Sequence, residues 1–191
     1  MLFSFPQKSI AYVWIEMDKP KLSNKIRVVS NPRNLENCPE KQLQFYANYA
    51  STVSDALSKP LFQKFLHWIM KVEKIEKKAV TDIQVRLFPF EKDNGNALAG
   101  RCNADEGVIL IFPKRRSFLR KKLQNHKKEK ILFYLKSRAM AALIHELLHI
   151  KYENNEHRVR HLTKKYFGMF IRHHNPDVKK VHAIQKILFT F

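Results

Sequence analysis

His145-Glu146-Leu147-Leu148-His149 lies inside an apolar run, with Ala139-Met140-Ala141-Ala142-Leu143-Ile144 before it and Ile150 after it. A run of such strong helix formers predicts a buried helix. Two histidines four residues apart then share one helical face, one turn apart, where both imidazoles can reach a single zinc ion. Zinc lowers the pKa of a bound water towards neutrality, and the intervening glutamate is placed to take its proton. The pattern therefore predicts a zinc metalloprotease in which His145 and His149 bind the metal and Glu146 is the catalytic base. A helix whose histidines only bond each other or a backbone carbonyl would carry the same letters, but Glu153, Glu156, His157 and His161 follow closely and add candidate ligands.

A catalytic zinc takes three protein ligands and leaves a fourth position for water. The metal helix is expected from about Lys130 to Tyr152, with Glu153-Asn154-Asn155 supplying a turn and an N-cap for a new helix beginning at Glu156. On that helix Val159, Leu162, Tyr166 and Phe170 form the inward stripe. Glu156 shares this face, whereas His157 aligns with His161 and Lys164 on the wetter side. Periodicity thus favours Glu156 as third ligand, with His157 as the rival. Tyr152, three residues after His149, is a candidate hydrogen-bond donor to a developing oxyanion, and plain packing is its blander role.

The chain has 191 residues, enough for one domain with an appended helical part, and 45% hydrophobic content suffices for a core. Its 36 Lys and Arg against 17 Asp and Glu leave a net charge of +19, which favours nucleic-acid contact, although a solvated lysine-rich surface has the same composition. The excess peaks between Lys114 and Lys130. Lys114, Arg115, Arg116, Arg120, Lys121, Lys122, Lys127 and Lys128 are the candidate contacts to DNA or RNA. No glycine-rich phosphate loop or helix-turn-helix signature accompanies them, so the signal is electrostatic. Cys38 and Cys102 are too few for a disulfide framework and suit a reducing cytoplasm. The N-terminus lacks a secretory signal and no run reaches membrane-spanning length, so a soluble cytoplasmic protein is expected.

Outside the motif, Ser9 to Met17 and Lys25 to Ser30 read as strands, rich in branched and aromatic residues. From Pro39 to about Lys78 apolar residues recur at three and four, predicting two amphipathic helices broken near Lys59-Pro60. Thr81 to Leu87 alternates strictly and predicts a half-buried strand. Val108 to Ile111, closed by Pro113, reads as a strand near a sheet edge, placed to pair with an extended substrate beside the metal helix. The expected division is an N-terminal part over 1–80, either integral or covering, and a catalytic core over 81–191.

The order Ala99-Gly100-Arg101-Cys102-Asn103, then the strand Val108-Ile109-Leu110-Ile111, a connecting segment and His145-Glu146-Leu147-Leu148-His149-Ile150-Lys151-Tyr152 resembles the SprT-like and YgjP-like zincin metallopeptidases. The resemblance covers roughly residues 81 to 175. It implies an α+β fold with a small, antiparallel-edged sheet packed on the His-Glu-x-x-His helix, additional helices, zinc, and peptide hydrolysis, in some members on proteins bound to DNA. In those families the third ligand is a histidine beyond the helix, matched here by His157; an acidic ligand, Glu156, would instead resemble the gluzincins. The competing function is a basic nucleic-acid or ribonucleoprotein binding protein that keeps the scaffold without proteolysis.

Overall fold

A computed structural model of the chain describes residues 21–30, 35–36, 38–90, 98–123 and 127–174. The strand expected at Ser9 to Met17 lies outside them. Among the described residues the fold is α+β, with five helices and a mixed four-stranded sheet. The helices are α1 (Glu40–Ser58), α2 (Pro60–Glu73), α3 (Arg116–Leu123), α4 (Lys128–Tyr152) and α5 (Glu156–His174). The strands are β1 (Ile26–Val29), β2 (Asp82–Arg86), β3 (Gly100–Asn103) and β4 (Val108–Ile111). No helix among these residues is long and apolar enough to cross a membrane.

Pro60 breaks the helical run where expected. A residue before proline is driven out of the α region, and Lys59 takes φ −57°, ψ 129°. Pro60 then occupies the first turn of α2, where its missing N–H is not needed. At the other end Lys74 adopts a left-handed cap (φ 55°), and the Ile75 N–H closes on the Met70 carbonyl at 2.8 Å. The two helices form the crossover that a parallel β1–β2 pair requires.

The sheet order is β1-β2-β4-β3, parallel throughout except for the antiparallel β3–β4 hairpin. Val108–Ile111 is therefore an interior strand, and the expectation that it borders the sheet is corrected. Among the described strands, the edge beside α4 is Gly100–Asn103 instead. Charge and exposure explain the exchange: Ile109 and Ile111 are buried between two neighbours, whereas β3 offers Arg101 and Asn103 to solvent. The hairpin turns at Gly107, whose φ is +66° and where a Cβ would approach the Ala79 carbonyl oxygen to 2.5 Å.

Cross-strand register aligns Ile26, Ile83, Ile109 and Cys102 in one row and Val28, Val85, Ile111 and Gly100 in the next but one. Ile83, Val85, Ile109 and Ile111 join one buried cluster with residues of α1, α2, α4 and α5, so residues from both sides of position 80 share a core. Helix α4 buries almost its whole circumference from Tyr134 to Leu148. Phe170 of α5 packs against Phe62 and Phe65 of α2 at ring separations of 5.2 and 5.1 Å.

One polar contact ties these helices together. Glu73, at the end of α2 and only 6% exposed, accepts hydrogen bonds from Tyr152 (2.6 Å) and Tyr166, and from Lys151 to its backbone carbonyl (2.5 Å). The Lys151 ammonium also lies 3.3 Å from its carboxylate. Burial pulls this carboxyl upward, yet the tyrosine hydroxyls and Lys151 outweigh it and hold Glu73 below the ordinary carboxylate range. Replacing it strands the two tyrosine hydroxyls and leaves Lys151 only the backbone carbonyl. Glu73→Ala is expected to cost about 3 kcal/mol of stability by urea denaturation. A loss under about 1 kcal/mol would contradict the anchoring role.

Candidate metal centre

His145 and His149 lie on consecutive turns of α4, and Glu156 begins α5 after a tight reversal. The two imidazole Nε2 atoms are 3.1 Å apart. Glu156 Oε2 lies 3.6 Å from the first and 3.3 Å from the second. The three side chains offer ligand atoms that all fall within 4.8 Å of one another, so the group could hold a metal ion. His157, one residue on, is exposed and does not join them.

Each candidate ligand is aimed by a further contact, which is how metal sites fix their inner residues. His149 Nδ1 lies 2.5 Å from the Glu153 carbonyl oxygen, an atom that only accepts, so the ring proton sits on Nδ1. The Thr163 hydroxyl donates to the Val159 carbonyl at 2.7 Å and faces His145 Nδ1 at 3.4 Å, so it accepts from that ring. Arg160 Nε donates to Glu156 Oε1 at 2.5 Å and turns Oε2 towards the imidazoles. Two nitrogen lone pairs and a carboxylate oxygen therefore face one point with no proton among them to share. A cation is the group that relieves that repulsion.

The reversal that delivers Glu156 is strained. Glu153 has φ 44° and ψ −114°, a region that side chains disfavour, while its N–H bonds the His149 carbonyl at 2.8 Å and its own carbonyl orients the His149 ring. Asn155 caps the new helix through a 3.1 Å bond from the Arg158 N–H to its Oδ1.

Glu146 is 6% exposed and lines the same cleft, which has a volume of 1140 Å³. Room for it comes from the edge strand. A Cβ on Gly100 would come within 2.6 Å of Glu146 Cγ and 2.8 Å of its Oε1. Cys102, also in the cleft, is pushed up to about 12 by burial and by the Glu146 charge, so at neutral pH it is a thiol, and it lies outside the His145, His149 and Glu156 group.

No protein-family model, curated protein or solved structure matches this chain.

The remaining candidates are dispersed. Tyr152 does not face the ligand cluster: its hydroxyl is committed to Glu73 and its ring lies under Arg158, 4.3 Å away, which corrects the oxyanion role considered for it. His161 is exposed. Of the basic segment, Lys114 lines the metal cleft, whereas Arg115, Arg116, Arg120 and Lys121 line a second cavity of 750 Å³ with Gln42 and Tyr46. Lys127 and Lys128 are exposed at the start of α4, and the Lys122 side chain lies outside the description. Gly100, Thr163, Arg160 and Arg138 were not legible as site residues, because their roles depend on contacts across elements. The Ala99-Gly100-Arg101-Cys102 turn was the one local signal, through its glycine.

Two outcomes follow from this geometry. His145 is pushed down to about 4, chiefly by burial, against 6.5 for a free imidazole, so the unfolded chain takes up that proton first. Glu156 is also held low: burial raises it, but Arg160 and the two imidazoles outweigh that, and the sign is the same. The urea midpoint of metal-stripped protein is thus expected to fall as pH drops from 6.5 towards about 4, with a shallower fall in His145→Gln; equal slopes would contradict the assignment. Glu153→Gly, which removes backbone strain but keeps the carbonyl, is expected to gain about 1 kcal/mol in thermal stability. Metal affinity by competition titration should stay unchanged.

Proposed function

We propose that this chain is a zinc-dependent peptidase, with His145, His149 and Glu156 as ligands and Glu146 as general base. The observation that carries the reading is the convergence of two imidazole Nε2 atoms and one carboxylate oxygen, each backed by its own hydrogen bond. Two nitrogens and one oxygen are a donor set that zinc accepts while keeping a position open for water. Zinc bound there supplies a lowered water pKa and polarisation of a carbonyl.

The chain's own residues do the rest. Glu146, beside the ligands on α4, accepts the proton released as water attacks and returns it to the leaving amine. Gly100 keeps the edge strand clear of that carboxylate. Thr163, the Glu153 carbonyl and Arg160 hold the ligands against rotation. The SprT-like or YgjP-like kinship belongs to this proposal too, with an acidic third ligand replacing the histidine of those families.

A second reading has one specific support. Among the described residues, the cavity between α1 and α3 is lined by four cations and no acid, which suits a polyanion such as DNA or RNA. In that reading the metal is structural and proteolysis is absent.

The deciding experiment combines elemental analysis with hydrolysis of an unfolded protein substrate. One zinc per chain is expected, retained in Glu146→Gln and lost in His149→Ala. Glu146→Gln should lower kcat by about a thousandfold. Gly100→Ala, which displaces the base, should lower kcat by about tenfold or more at unchanged zinc content. Absence of zinc, or full activity in Glu146→Gln, would sink the peptidase reading. Salt-sensitive nucleic-acid binding unchanged in that variant would favour the second.

A further inference from the structure

Helix α4 floors the metal cleft over more than three turns. Tyr134, Arg138, Ala141, Ala142, His145 and His149 all line it, at spacings of three, four and seven that put them on one helical face. The small residues Ala141 and Ala142 leave the floor open between the ligands at one end and a cluster of donors at the other.

That far end carries positive charge in a place where charge is costly. Arg138 is 6% exposed and bonds two neutral acceptors, the Phe112 carbonyl at 2.7 Å and the Leu98 carbonyl at 3.0 Å. Two of its five N–H groups are used in those bonds. Lys114, half-buried, lines the same end with its ammonium 4.9 Å from the Phe118 ring centroid. Burial and the nearby Arg138 charge push Lys114 down to about 8, the mark of two like charges confined together. Tyr134, four residues before Arg138 and 5% exposed, has a buried hydroxyl with no hydrogen-bond partner among the described residues. A buried unpartnered hydroxyl beside a buried guanidinium that bonds only neutral carbonyls is the chemistry of a site built to receive an anion.

We infer that Lys114, Arg138 and Tyr134 form a carboxylate-binding subsite of the metal cleft, which selects peptides carrying an acidic side chain or a free C-terminus. The inference rests on the peptidase reading for its substrate. Arg138 precedes His145 by seven residues, about 10 Å along the helix axis. An extended peptide advances about 3.3 Å per residue, so the carboxylate belongs about three residues from the scissile bond. An Arg fork and an ammonium together favour a carboxylate over a neutral amide of the same shape.

The test is fluorescence anisotropy with labelled ten-residue peptides on zinc-loaded Glu146→Gln protein at physiological salt. One peptide is neutral and C-terminally amidated, one carries a single glutamate and an amide end, and one is neutral with a free carboxylate. At least one carboxylate peptide is expected to bind about tenfold tighter than the neutral one, and which of the two does so identifies the source. Lys114→Met should remove the preference, and Arg138→Gln should weaken it. Lys121→Met, the same loss of charge in the other cavity, should leave it intact. Equal binding of all three peptides, no binding of any, or an equal effect of Lys121→Met and Lys114→Met would overturn the subsite. Hydrolysis of the same peptides by the unsubstituted protein tests the peptidase reading separately: a Lys114-dependent preference without cleavage would retain the subsite and discard the peptidase.

Discussion

The reversal at Glu153 sets the geometry on which the centre depends. A single residue with positive φ turns the chain from α4 into α5, points its carbonyl at the His149 ring, and leaves Glu156 three residues later beside both imidazoles. Backbone strain of this kind costs on the order of 1–3 kcal/mol and persists only where the surroundings hold it. Here they do. Buried Val159, Thr163, Tyr166 and Phe167 press α5 onto α4, and Glu73 fixes both helices to the end of α2 through Tyr152, Tyr166 and Lys151. Ligand placement is therefore a property of three helices acting together.

Much of this was readable from residue order, and the failures have physical causes. Apolar recurrence at three and four marked α1 and α2, and proline chemistry located the break at Lys59-Pro60. The inward stripe of α5 put Glu156 on the face that meets the histidines, while His157 is exposed and stays outside the ligand group. Strand order was harder. Four apolar residues ending in a proline describe an interior and an edge strand equally well, and only pairing distinguishes them. The short polar edge strand carried no pattern beyond its glycine. Glu73 was hidden for a related reason: an acid at a helix end looks solvated until two tyrosines from distant segments close over it.

Charge is divided more finely than a net +19 suggests. Consecutive residues Lys114 and Arg115 serve different cavities, one continuous with the metal cleft and one between α1 and α3. The division arises because the chain leaves β4 through Phe112 and Pro113, both buried, and then starts α3 at Arg116 with its N–H 3.3 Å from the Tyr46 hydroxyl. Solvent-exposed members of the run are screened beyond about 8 Å at physiological ionic strength. Lys114 and Arg138 inside the cleft are screened far less.

The parallel pairing of β1 with β2, across a long connection that carries α1 and α2, bears on how the protein is made. A ribosome releases the first strand long before its neighbour exists, and the histidines and Glu156 emerge later still. Glu73 must wait for Tyr166 before its carboxylate is enclosed. A nascent chain thus holds β1 unpaired until β2 is made, and α1 and α2 uncovered until α4 and α5 follow. Convergence of His145, His149 and Glu156 becomes one of the last acts of folding, and any helper that shields the growing chain would act before that moment.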